Sequence, residues 1–190
     1  LENEIARRDA SPDEAAHGEL MLGQIHRLDG VVESLLGMVQ PIRLQLETVV
    51  VHEWLATLLE PSLMPSGTPP PRLLVPAAPL RWTLDRQQMG RAVHNLLRNA
   101  VQHADPGSEV TLRAKEVEGM LHLQVSNHGA AIAEPIAAHL FEPFVSGRTD
   151  GNGLGLALVR EIARAHGGQA RYAHADGLTH FILELPWRAS

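Results

Sequence analysis

Apolar residues fall at Met21, Ile25, Leu28, Val32, Leu35 and Val39, in alternating steps of four and three that end at Pro41. This is the a/d seam of a coiled coil or helical bundle. Ser11-Pro12-Asp13-Glu14 is a good start for that helix, with a Ser cap, Pro at the first helical position and Glu at the reciprocal capping position. The helix either packs on its own domain or pairs in a dimer, and regularity over more than two heptads favours pairing. Leu1 to Arg8 reads as the end of a preceding helix, so the chain is expected to begin inside a hairpin.

Beyond Pro41 the pattern turns to mixed α and β. Leu44 to Val51 alternates weakly and predicts a strand, His52 to Leu63 a short helix, and Pro61 to Pro71 a Pro-rich loop. Short strands are expected at Arg72 to Val75 and Leu80 to Thr83. Asp85 opens a helix to about Ala104, with Met89, Val93, Leu96, Leu97, Ala100 and Val101 on its buried side. Val110 to Val117 and Met120 to Ser126 flank a Glu118-Gly119 turn and predict a hairpin. Ala130 to Asn152 is irregular. Gly153 to His166 predicts a last helix ended by Gly167-Gly168, followed by strands at Gln169 to Tyr172 and Thr179 to Leu185. The expected domain has helices on one face of a mixed sheet, over residues 42–190.

The 190 residues, 44% of them hydrophobic, suffice for one ordinary domain and an appendage. No stretch approaches the roughly 20 apolar residues of a membrane span, and Leu1-Glu2-Asn3-Glu4 lacks the basic and apolar regions of a signal peptide. Zero cysteines exclude disulfides and thiolate metal sites and fit a cytoplasmic setting, although a parent protein could be membrane-associated. A net charge of -6 with scattered basic residues argues against nucleic acid, leaving protein and small-molecule partners.

Three clusters carry candidate chemistry. Asn95 and Asn99 stand one turn apart on the helix from Asp85, so both amides project from one face, opposite Val93, Leu96 and Ala100. Asn oxygens are hard ligands suited to Mg2+ shared with phosphates, although two such Asn also describe a solvated face. Val125 to Ile132, Val-Ser-Asn-His-Gly-Ala-Ala-Ile, reads as a turn after a strand. A polar side chain beside a glycine there can meet the edge of a planar ring, or it can be an ordinary polar loop. Asp150-Gly151-Asn152-Gly153-Leu154-Gly155-Leu156 places three alternate glycines before a helix, where free N–H groups can face phosphate oxygens. It is neither the dinucleotide fingerprint nor a P-loop, because Leu156 stands where the fingerprint needs glycine and no Gly-Lys-Ser/Thr follows. Alone it could be a hinge.

In order and spacing these clusters resemble the boxes of sensor histidine kinases. His94-Asn95-Leu96-Leu97-Arg98-Asn99-Ala100 is similar to the N box, Asn127-x-Gly129-x-x-Ile132 to a G1 box, Phe141-Glu142-Pro143-Phe144 to the F box, and Gly151-x-Gly153-x-Gly155-Leu156 to the G2 box. The resemblance covers about Leu44 to Arg188. It implies the Bergerat fold, an α/β (α+β) sandwich, preceded over residues 1–41 by part of a dimerisation hairpin. It further implies ATP and Mg2+ as cofactors, a homodimer through the hairpin helix, and a response regulator receiver domain as partner. By position, Asn99 should coordinate Mg2+, Asn95 should lie near the phosphates, and Asn127 should meet the adenine amino group. Gly153 and Gly155 should hold the hinge of a lid, Ala130 to Asn152, anchored by Phe141 and Phe144. Arg148 is a candidate phosphate contact or a solvated lid residue. Gln102, His103, Gly129, Ala131, Ile132, Gly151, Asn152, Leu154 and Leu156 complete the implied ATP site. The short lid and its Phe-Glu-Pro-Phe sequence look similar to nitrogen-regulation-type kinases.

Three features depart from the pattern. Asn127 replaces the usual Asp at the adenine position, and a neutral acceptor contributes roughly 1 kcal/mol where a charged one gives about 1.5 to 3, so Asn127→Asp is expected to strengthen ADP binding. Ala131 replaces a glycine, which is expected to tighten or misplace its loop. The acceptor motif, His followed by Glu or Asp and soon Pro, is absent: His26-Arg27-Leu28-Asp29 lacks both features, and His17 and His26 read as ordinary helix histidines. The acceptor is expected upstream of Leu1, so the 190 residues should bind ATP without phosphorylating themselves. The alternatives are a nucleotide-insensitive dimer scaffold, supported by Asn127 and Ala131, and an ATP hydrolase of the gyrase and mismatch-repair type. The hydrolases use Glu as general base where this chain has Asn95, and an amide cannot take a proton from water.

Overall fold

Asp85 sets the start of the longest helix. Its side chain accepts from the Gln88 amide at 2.9 Å, capping Arg86–His103, and the Gln45 amide donates to its other oxygen at 2.7 Å. The computed structural model describes residues 42–59, 70–145 and 153–187. The chain divides into two compact units, Leu1–Gln40 and Pro41–Ser190, and every described residue belongs to the second. The expected seam helix, the preceding hairpin end, His17 and His26, and most of the Pro-rich loop lie outside the described residues.

In chain order the elements are β1 (Glu47–Val50), α1 (Val51–Leu58), β2 (Arg72–Leu74), β3 (Arg81–Leu84), α2 (Arg86–His103), β4 (Thr111–Val117), β5 (Met120–His128), α3 (Glu134–Ala137), α4 (Gly155–Ala165), β6 (Gln169–Ala175) and β7 (Leu178–Pro186). The main sheet runs β2-β4-β5-β7-β6, parallel at β2 with β4 and antiparallel elsewhere, while β1 and β3 form a separate antiparallel pair. Both hairpin turns have two residues at positive φ, Glu118 with Gly119 and Asp176 with Gly177, the turn geometry that matches strand twist.

Alternation along β5 and β7 assigns the faces. Leu121, Leu123 and Val125 of β5 and Phe181, Leu183 and Leu185 of β7 are buried, between half-buried His122, Gln124, His180 and Ile182. Against the buried face lie Met89, Val93, Leu96, Leu97 and Ala100 of α2 and Leu158, Val159, Ile162 and Ala163 of α4. This is the mixed sheet packed on helices that the sequence predicts, the Bergerat fold.

Several boundaries moved. α1 begins at Val51 and ends at Leu58, because β1 hands its last residue to the helix and Leu59 leaves helical geometry. β5 continues two residues beyond Ser126, since Asn127 and His128 pair with Thr179 and Leu178 of β7. Asn127 is therefore held in a strand and not in a turn. α4 starts at Gly155 because Gly153, at φ +63°, cannot be helical. The segment read as irregular contains the single turn α3, with Pro135 in its first turn.

His166 fastens the two long helices together. The Asp85 amide donates to His166 Nε2 at 3.0 Å, so the ring proton sits on Nδ1, which lies 2.8 Å from the Ile162 carbonyl. The ring is buried. His166→Ala should destabilise the domain by about 1 to 3 kcal/mol, because it leaves a buried amide without its acceptor. A denaturation midpoint equal to the wild type's would refute this link.

On the open face of the sheet, Gln124 Nε2 donates to His180 Nδ1 and to Ser126 Oγ, each at 3.0 Å. Burial, then the charges of His174 and Arg113, hold the His180 pKa below the usual 6.5 against an opposing pull from Asp176. A base with a lowered folded pKa stabilises fully above its unfolded value. That contribution should fade as pH falls below 6.5 towards the folded pKa. An imidazole NMR titration placing His180 at or above 6.5 would contradict the assignment.

Candidate functional site

A cavity of about 400 Å³ opens between α2, α4, the end of β5 and the segment from Ala130 to Val145. α2 contributes Asn95, Arg98, Asn99, Gln102 and His103, one face of a helix whose opposite face is locked in the core. Asn127 and Thr179, opposite one another on β5 and β7, form part of the wall with Phe181. Ala131 and Ile132 close one side, and Gly153, Gly155 and Leu156 another.

Asn127 is almost fully buried, at 1% exposure. Its Nδ2 donates to the His128 carbonyl at 2.9 Å and lies 3.4 Å from the His103 carbonyl. Two carbonyls on that side fix the amide orientation, since a flip would set oxygen against oxygen. The other atom, Oδ1, is buried with no hydrogen-bond partner among the described residues. An unpaired buried acceptor costs about 1 to 3 kcal/mol unless a donor arrives. A residue of the cavity wall thus carries one fixed, unsatisfied acceptor.

Gly129 explains why α2 can end so close to β5. A Cβ there would stand 2.7 Å from the His103 carbonyl oxygen, the atom that faces Asn127. Gly129 itself does not line the cavity, so its role is to admit that approach. Ala131 carries no strain, because its φ is not positive, and the loop is tethered by the Tyr172 hydroxyl, which accepts from the Ile132 amide at 2.9 Å.

Near α4 the packing is tight. A Cβ on Gly153 would lie 2.5 Å from the Phe144 carbonyl carbon and 2.7 Å from both the amide nitrogen and oxygen of Val145. The Phe144 amide donates to the Gly153 carbonyl at 3.1 Å. A Cβ on Gly155 would stand 3.0 Å from Asn95 Oδ1. Both glycines therefore allow backbone to approach backbone or a side-chain amide.

Of the expected pair of aromatic anchors, only Phe141 fits. It is half-buried and meets Phe181 edge to face at 6.4 Å between centroids. Phe144 is 72% exposed, because its φ of +66° turns the chain so that the backbone, not the ring, makes the contact to Gly153. Leu154 is buried and does not line the cavity either. Arg148, Gly151 and Asn152 lie outside the described residues. Sequence reasoning left Arg98 and Thr179 out of the site. Arg98 could have been found from its place three residues after Asn95, on the same helical face.

Asn95 and Asn99 differ in availability. Asn95 Nδ2 donates to the Arg91 carbonyl at 3.0 Å and its Oδ1 accepts from Arg98 Nη2 at 2.9 Å. Asn99 forms no side-chain hydrogen bond among the described residues, so its amide oxygen is free to ligate. No group of three His, Asp or Glu suited to a metal exists among the described residues. A cation here would be shared with a ligand, which is the habit of Mg2+.

The cavity has Asn127 in its wall and the uncapped start of α4 beside it, features compatible with a nucleotide-type ligand. The family described as histidine kinase-, DNA gyrase B- and HSP90-like ATPase matches over residues 84–189, more than half the chain, and the chain belongs to it. The sensory histidine kinase/phosphatase NtrB of Klebsiella oxytoca is 31% identical over 193 residues, covering 94% of this chain and 55% of that protein. This chain thus spans about half of that relative's length. ShkA in complex with AMPPNP superposes with TM-score 0.76 at 24% identity, over 96% of this chain and 40% of that one. ThkA in complex with the response regulator TrrA gives TM-score 0.76 at 19% identity, over 97% of this chain and 55% of that one. At these identities the two structures bear on the fold.

Proposed function

We propose that this domain is the ATP-binding catalytic domain of a sensor histidine kinase, supplying the γ-phosphate for a histidine on a dimerisation hairpin and thence for a response regulator aspartate. The observation that carries the reading is the orphan Oδ1 of Asn127, buried and fixed in the cavity wall. The exocyclic amino group of adenine is a donor of the right kind. AMPPNP in ShkA and the response regulator bound to ThkA, proteins of the same fold, are consistent with the ligand and the partner.

Asn127 and Thr179 would hold the base, and Ala131, Ile132 and Leu156 its apolar surroundings. Asn99 would hold Mg2+, whose chemistry is to neutralise phosphate charge. Gly153 and Gly155 bring the start of α4 within reach of the phosphates, where Leu156 and Ala157 follow without an acidic side chain to repel them. Arg148, Gly151 and Asn152 stay in the proposed set on their sequence positions. Catalysis by such a site is positioning and charge stabilisation. Asn95 offers no general base, which argues against a hydrolase. Residues 1–41 are proposed as hairpin and homodimer contact, and the setting as cytoplasmic. No helix among the described residues is long and apolar enough to cross a membrane.

Asn99→Ala should lower Mg2+-dependent ATP affinity at least about tenfold with the fold intact, because it removes a ligand from a helix face and no core volume. Unchanged calorimetric affinity would dismiss Asn99 as the ligand. The reading as a whole is tested with γ-labelled ATP, Mg2+ and a sensor-kinase hairpin bearing its histidine, added as a separate chain. Acid-labile, base-stable label on that hairpin is expected. Release of free phosphate with unlabelled protein would turn the reading to a hydrolase.

A further inference from the structure

Arg98 lines the cavity beside the start of α4 without a carboxylate to hold it. Its Nη2 donates to Asn95 Oδ1 at 2.9 Å, it is exposed to the cavity, and it forms no ion pair among the described residues. The same nitrogen lies 3.6 Å from where a Cβ on Gly155 would be, directly over the first residue of α4. That helix start has no side-chain cap and no acidic residue in its first turn. At the other end of the same cavity stands the unpartnered, buried Oδ1 of Asn127.

We infer that Arg98 is the residue that reads the phosphates, forking onto oxygens of the β- or γ-phosphate above the start of α4, with Asn95 as the positioning residue that aims it. The inference rests on the adenine-nucleotide reading of the cavity. Its reason is donor bookkeeping: a guanidinium has five N–H donors in a rigid fork, and the Asn95 bond uses one. Asn95 in turn uses Nδ2 on the Arg91 carbonyl and Oδ1 on Arg98, which fixes the guanidinium. The glycine at 155 leaves room for the pair. A Cβ there would stand 3.0 Å from Asn95 Oδ1, so the pair would have to give by a few tenths of an ångström.

The test is a calorimetric series of ATP, ADP, AMP and adenosine in Mg2+ against the wild type, Arg98→Gln, Arg98→Lys and Asn95→Ala. Arg98→Gln should weaken ATP and ADP about tenfold and leave adenosine within about twofold, because a charge-assisted pair to phosphate is lost and the base contacts are not. Lysine should restore part of the loss, since it returns the charge without the fork. Asn95→Ala should show the same dependence on phosphate number with a smaller loss. Equal losses for adenosine and ATP would mark Arg98 as merely structural, and no loss at all would remove it from the site; either overturns the inference while nucleotide binding stands. A wild type that takes none of the four ligands would instead overturn the nucleotide reading and this inference with it.

Discussion

Asn127→Asp should weaken adenine nucleotide binding and destabilise the domain by about 2 to 4 kcal/mol, the reverse of what the sequence alone predicts. A carboxylate would improve the bond to the adenine amino group by roughly 1 kcal/mol. Its second oxygen, however, would replace an NH2 that faces the His128 carbonyl at 2.9 Å and the His103 carbonyl at 3.4 Å. Two donor interactions would become oxygen-to-oxygen contacts, and a charge would be placed at a site 1% exposed. The losses exceed the gain. Thermal denaturation and ADP titration of the variant decide the matter: a protein as stable as the wild type that binds ADP more tightly would show that the amide is not fixed as described.

Gly153→Ala carries the other large effect. A positive φ costs alanine about 1 to 2 kcal/mol by itself, and the added carbon would overlap backbone atoms of Phe144 and Val145 rather than a yielding side chain. The backbone must separate there, breaking the Phe144 amide bond to the Gly153 carbonyl. A loss of about 2 to 4 kcal/mol in stability and of at least about tenfold in ATP affinity is expected. Guanidinium denaturation and calorimetry measure the two. Wild-type values in both would mean that this junction is not part of the site.

Much of this was legible in the chain. Asp85 with the apolar face from Met89 to Ala100 defined α2, because cap and periodicity agree there and the core obeys both. Asn99 and Asn95 could be placed on one face by the same periodicity. Their unequal freedom could not, since it depends on the rotamers of Asn95 and Arg98. The strand status of Asn127 was hidden because strand ends are set by the partner, here Thr179, 52 residues away in sequence. Phe144 misled for a related reason: its anchoring role was implied by the resemblance of Phe141-Glu142-Pro143-Phe144, and its positive φ goes with a ring that lies outside. Leu154 was drawn into the site by its glycine neighbours, although its side chain belongs to the interior.

The fixed direction of one amide is the centre of the account, and nucleotide choice reads it directly. The measurement is a calorimetric titration of the wild-type chain with ATP and with GTP in Mg2+. On the proposed reading Asn127 Oδ1 would accept from the adenine amino group but would face the guanine carbonyl oxygen as a second acceptor, at a cost of about 2 kcal/mol. ATP should bind at one site and GTP about 30-fold more weakly. Equal affinities for the two nucleotides, or no binding of ATP at all, would contradict it.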